Sequence, residues 1–228
     1  MKLSSLVTSS LIVACTALAP ALPSTSVYAS PARQLASVLP GRWASPSCES
    51  WPGAPFVRRE YRFDGRNFTR IVTRFMNSAC SMPTYRLRTE GTYHLVRPSG
   101  SVPGAIDIDF KPGTIGVTPL TTNAADTLNM STSAPCVGSA WLAGSEQAIV
   151  PAQGCPDLLV LPFRGGTEFD IVRNDGNVLS LGLWPADGLP PTLPERRPTL
   201  FAPGINLVQS AAVSTILLPD TGADLSMR

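Results

Sequence analysis

The only histidine in this 228-residue chain is His94, so any histidine-based triad or imidazole metal site has to be built on it. It stands in Thr92-Tyr93-His94-Leu95-Val96, alternating with apolar neighbours, which is the setting of a hydrogen-bonded or exposed sheet histidine. Two carboxylates, Asp107 and Asp109, fall two residues apart, about 7 Å along a strand. That spacing suits paired acid–base work. The run Ile106-Asp107-Ile108-Asp109-Phe110 also explains them as the solvated face of a half-buried strand, and a solvated face is expected. No Gly-x-Ser-x-Gly elbow, phosphate loop or dinucleotide fingerprint occurs. Leu218-Pro219-Asp220-Thr221-Gly222 spells a sortase sorting motif, but no apolar stretch or basic tail follows it. Asp220-Thr221-Gly222-Ala223 resembles an aspartic-protease signature, a chemistry that needs a second aspartate in a matching loop. Neither tail motif is expected to act. A protein that is not an enzyme, with no metal and no cofactor, is the expectation.

Cysteine is the residue type whose count carries most. Ahead of position 30 lies an export signal: Lys2 is the basic start, Leu6 to Leu22 holds no charge, and Val27-Tyr28-Ala29 is a small-x-small cleavage site. Ile12-Val13-Ala14-Cys15 also resembles a lipobox, which would make Cys15 a lipidated N-terminus. After residues 1–29, four cysteines remain: Cys48, Cys80, Cys136 and Cys155. An even number in an exported domain predicts disulfides, whereas zinc would require Cys-x-x-Cys pairs that are missing. Four cysteines allow three connectivities, and Cys48–Cys80 with Cys136–Cys155 is the expected one. Asn67-Phe68-Thr69 and Asn129-Met130-Ser131 are sequons, relevant only in a host that glycosylates. The predicted location is secreted or periplasmic, with anchoring through Cys15 as the alternative, and no other stretch is long and apolar enough to span a bilayer.

These residues must be positioned by strands. With 23 prolines, 18 glycines and only 15% charged residues, the chain reads as many short elements joined by turns. A net charge of +2 with scattered arginines offers no nucleic-acid surface. Residues 30–39 form a lead-in with a helical turn around Arg33 to Val38. Strand patterns follow at Phe56 to Phe63, Arg66 to Met76, Thr84 to Thr89, Thr92 to Val96, Ala105 to Phe110, Trp141 to Val150, Leu158 to Phe163, Glu168 to Arg173 and Val178 to Trp184. Asp64-Gly65 and Asn174-Asp175-Gly176-Asn177 are hairpin turns. A two-residue Asp64-Gly65 turn sets Tyr61 opposite Phe68 and Val57 opposite Val72, but also Arg59 opposite Arg70, which argues for a longer turn. One helix near 119–130, capped by Thr118, interrupts the strands. The predicted fold is mainly β, a single curved antiparallel sheet forming an open or half barrel over residues 40–208, with a tail over 209–228.

The order of motifs resembles a known family. Trp43-x-Ser45-x-x-Cys48-Glu49, Pro52-Gly53, Cys80-x-x-Pro83-Thr84-Tyr85, Gly91-x-Tyr93 and Val117-Thr118-Pro119 are followed by Gly154-Cys155, Thr167-Glu168-Phe169-x-Ile171, Pro185-x-Asp187-Gly188 and Pro194-Glu195-Arg196-Arg197. Together they are similar to the domain of the adenomatosis polyposis coli down-regulated family, membrane-anchored Wnt inhibitors of animals. The resemblance implies a half-barrel around an apolar pocket that accepts a lipid chain. This chain has one copy of the domain and lacks the membrane anchor, so recognition of Wnt is not expected. Its Lys-poor, Arg- and Ala-rich composition fits a GC-rich bacterium. The expected function is a non-enzymatic extracytoplasmic binding module for a lipid or acylated ligand, with a structural or protein-interaction domain of the cell envelope, using exposed aromatics such as Trp51, as the alternative. The expected wall of the pocket is Tyr61, Phe63, Phe68, Val72, Tyr85, Leu87, Ile106, Ile108 and Phe110.

Overall fold

The computed structural model describes residues 30–51, 54–130, 137, 139–149, 155, 166–187 and 190–210, without the side chains of 51, 54 and 55. The predicted strand at Leu158 to Phe163 and the cysteine at 136 lie outside these residues. Helix α1 (Pro31–Val38) comes first. Ser30 caps it by accepting a hydrogen bond from the Arg33 amide, and Pro31 supplies the preset φ of a first helical position. The lead-in is thus two turns long rather than one.

Ten strands follow: β1 (Gly41–Ala44), β2 (Glu49–Trp51), β3 (Ala54–Asp64), β4 (Asn67–Phe75), β5 (Pro83–Pro98), β6 (Ile106–Pro119), β7 (Gln147–Ile149), β8 (Glu168–Asp175), β9 (Val178–Gly182) and β10 (Phe201–Gln209). Helix α2 (Thr122–Asn129) separates β6 from β7. All pairings are antiparallel, in the order β1-β10-β9-β8-β6-β5-β4-β3, and β1 also pairs with β3. The curved antiparallel sheet with one short helix near 119–130 is therefore present. The sheet goes beyond a half barrel: its two ends meet on β1 and close an eight-stranded barrel, which removes the free edges.

Four local expectations change. The β3–β4 turn is Gly65-Arg66, because Gly65 at φ +57° takes the first central position of a type II′ turn. The register moves by two residues, pairing Phe63 with Phe68 and Tyr61 with Arg70, and separating Arg59 from Arg70. The β8–β9 turn uses Gly176 at φ +72° in the same way. Helix α2 is capped by Thr121, whose hydroxyl accepts from the Ala124 amide, not by Thr118, because β6 stays in the ladder as far as Pro119. The stretches 84–89 and 92–96 are one strand, β5, carried past Gly91 by a bulge. At Gly91 a β-carbon would strike the Lys111 carbonyl, so only glycine fits.

Candidate functional site

Alternation along β3–β6 sorts the inward side chains into four rows, and the registers fix their order along the barrel. The first holds Phe63 and Phe68, the second Tyr61, Arg70, Thr89 and Ile115, the third Arg59, Val72, Leu87 and Val117, and the fourth Val57, Arg74, Tyr85 and Pro119.

At the first row the interior is solid. Phe63, Phe68, Tyr93 and Phe110 pack edge to face or tilted, with ring centres 4.8–6.3 Å apart. Ile106, Ile108, Val172, Leu179, Leu181 and Leu207 complete this buried cluster. Leu35 and Leu39 close it from below, and the Trp43 indole donates to the Leu39 carbonyl at 2.8 Å. Of the nine residues expected on a pocket wall, six are in this cluster: Tyr61, Phe63, Phe68, Ile106, Ile108 and Phe110. The other three, Val72, Tyr85 and Leu87, sit in the upper rows.

Above the plug lies a buried charged layer that the sequence reading missed. Arg70 Nη1 donates to both Glu168 oxygens at 2.9 Å, reaching across β5 and β6. Arg59 donates to Glu49 through Nε at 2.7 Å and Nη2 at 3.2 Å, and to the Ile205 carbonyl at 3.1 Å. Burial opposes the Arg70 charge, but Glu168 and Tyr61 outweigh it and hold the guanidinium firmly protonated. Burial pushes the Tyr61 hydroxyl up, against the pull of the nearby arginines. Asp170, two residues along β8 from Glu168, is pushed up to about 7, first by burial and then by the Glu168 charge. The signal for this layer lies in the sequence: Arg59, Arg70 and Arg74 share strand phase with Tyr61, Phe63, Phe68 and Val72.

The third and fourth rows are less tightly closed. Val57, Arg59 and Val117 are buried, whereas Val72, Arg74, Tyr85 and Leu87 face inward and are only partly buried. One side of the mouth is covered by α2 and the β7 region, where Ala125, Leu128, Trp141 and Ile149 pack on Ile115 and Val117. The Tyr85 hydroxyl donates to the Ala124 carbonyl at 3.3 Å. The opposite, closed end carries a separate surface hollow of about 310 Å³ between α1 and the β8–β9 turn, lined by Gln34, Val38, Arg173 and Asn174 among others.

The remaining candidates fall outside the barrel. His94 is exposed on the outer face of β5. Asp107 and Asp109 do not form a solvated face: the segment after a short 3-10 turn (Pro194–Arg196) lays Arg197 over them. Arg197 binds Asp109 at 2.6 Å and the Ile108 and Asp170 carbonyls at 2.9 and 2.6 Å, and Asp107 is buried beneath. The disulfide Cys48–Cys80 is formed as expected, with Cα atoms 5.5 Å apart. Cys155 is also disulfide-bonded, and its expected partner Cys136 lies outside the described residues.

Fold and interior together define an antiparallel β-barrel with one plugged end, a buried ion-pair layer and an opposite end whose inward side chains are only partly buried. A family model described as Adenomatosis polyposis coli down-regulated 1 matches residues 24–152, more than half of the chain, and the chain belongs to that family. The match covers α1 to β7, and β8, β9 and β10 complete the same barrel beyond it. Family and fold are both consistent with a binding module.

Proposed function

We propose that this chain is an exported, non-enzymatic binding module that holds an apolar or acylated ligand in the open end of its barrel. The observation that carries the reading is the partial exposure of inward-facing Val72, Tyr85 and Leu87 above a floor that is fully packed. Inward apolar side chains that solvent can reach favour an apolar guest, at about 0.8 kcal/mol per buried methylene. The guest is an alkyl end rather than a whole lipid engulfed, because the aromatic plug leaves no room below the charged layer. Export is supported by the Cys48–Cys80 disulfide. No helix among the described residues is long and apolar enough to cross a membrane.

The test is displacement of a fluorescent fatty acid, backed by native mass spectrometry for stoichiometry. Wild type should bind one chain. Val72→Trp, which fills the third row, should weaken binding at least tenfold while the far-ultraviolet spectrum stays unchanged. Wild-type protein that binds no member of a broad panel of fatty acids, alcohols and lysolipids overturns the proposal. Capture of an envelope protein without lipid would then favour an interaction domain.

A further inference from the structure

Three arginines face the barrel interior from β3 and β4, and two of them are answered by glutamates. The third, Arg74, is not. Its Nε is buried with no hydrogen-bond partner. Its register neighbours are Val57 and Tyr85, neither of them an anion, and the Tyr85 hydroxyl is directed at the Ala124 carbonyl. Burial without a nearby carboxylate lowers the pKa of the guanidinium. An arginine stays charged in a protein, so its missing donor contacts are an unmet cost at the lip of an apolar chamber. Position matters as much as charge. Arg74 lies one row outside Val72 and Leu87, so an anion held at the outer edge of its guanidinium is at the mouth while a tail attached to that anion points down onto those two side chains.

We propose that Arg74 is the headgroup anchor of this mouth, and that the ligand is an anionic amphiphile whose carboxylate or phosphate it takes through the guanidinium. A planar guanidinium fork suits both oxyanions, which it can hold through two parallel hydrogen bonds. The inference rests on the apolar-ligand reading above and adds the sign of the headgroup. The charges inside the barrel agree: Glu49 and Glu168 are occupied by Arg59 and Arg70, and of the three inward arginines it is Arg74 whose buried Nε finds no partner among the described residues.

Four probes of matched chemistry test it on the full exported chain: oleate, oleoyl lysophosphatidate, oleyl alcohol, and inorganic phosphate without a tail. Wild type should bind oleate or the lysophosphatidate at least tenfold more tightly than the alcohol, and the tail-less phosphate hardly at all. Which of the two acids binds better separates a carboxylate ligand from a phosphate one. Arg74→Gln should erase the preference with the alcohol affinity unchanged, and Arg74→Lys should restore part of it. Equal affinity of wild type for acid and alcohol overturns the anchor while leaving the apolar-ligand reading in place, whether or not the variants fold. Binding of inorganic phosphate as tight as that of the acids overturns the amphiphile. Failure of all three oleyl probes on wild type removes both proposals together.

Discussion

Two carboxyls on β8, Asp170 and Glu168, share a buried strand face, and the barrel treats them differently. Glu168 receives two hydrogen bonds from Arg70, whereas Asp170 Oδ1 receives only the Ile171 and Gly182 amides, at 2.7 and 2.9 Å. Asp170 is therefore pushed up from 3.8 to about 7 by burial and by its neighbour's charge. Between those values the folded chain keeps a proton that the unfolded chain has released, so this group makes stability fall as pH rises, by on the order of 4 kcal/mol in full. Urea unfolding at pH 5 and pH 8 should show wild type losing more stability across the interval than Asp170→Asn, whose amide oxygen can still accept both backbone bonds. Equal loss in the two proteins would place the pH dependence elsewhere. The Arg70–Glu168 pair gives a second test at the same scale. Glu168→Gln leaves a buried cation without its counter-charge and should cost about 3–5 kcal/mol, and Arg70→Met with Glu168→Leu should cost less than the single change. A double variant less stable than the single would show that the pair contributes more than its own desolvation.

At the scale of elements, the strands were legible wherever apolar and polar residues alternate. The runs 84–89 and 106–110 alternate cleanly and fall in β5 and β6. What alternation could not give was inward polarity. Arg59, Arg70 and Arg74 interrupt the apolar phase of β3 and β4, and a charge in that phase reads as a register fault until a partner on a distant strand, such as Glu168, is seen. The closing strands were missed for a related reason: β1 is four residues long, and β10 contains Pro203 and Gly204, so neither carries a periodic signal of its own. Of the residues expected to line a pocket, six lie in the plug and Val72, Tyr85 and Leu87 in the upper rows, because nothing in composition says at which level aromatic side chains become numerous enough to fill the barrel. One element-level device is testable directly. The β5–β6 bulge depends on the bare backbone of Gly91, so Gly91→Ala should destabilise by about 1–3 kcal/mol. Gly100→Ala, with open space around its β-carbon, should stay within about 0.5 kcal/mol. Similar midpoints in urea for the two variants would mean that the bulge yields at no cost.

For the whole molecule, closure concentrates on β1. Four residues pair with β3 from Gly41↔Phe63 to Ala44↔Glu60, but only Trp43↔Gln209 and Ala44↔Val208 join β1 to β10. The first seam is thus twice as long as the second, while β5 and β6 pair along nearly their full length. A barrel opens where its ladder is shortest, so the β1–β10 seam is where local unfolding should begin. Cys48–Cys80 acts beside this seam. It ties the segment between β1 and β2 to the connection between β4 and β5 across a separation of 32 residues, a loop whose closure contributes about 3–4 kcal/mol on the chain-entropy model. Replacing both cysteines by serine should lower global stability by about that amount. Hydrogen exchange followed by mass spectrometry should show a second effect, with faster exchange in peptides of β1 and β10 while β5 and β6 keep their protection. The bond anchors the chain four residues after Ala44, and its loss lets β1 leave the shorter ladder first. Acceleration spread evenly over all strands would instead mean that the barrel opens as one unit and that the disulfide acts only on the unfolded chain.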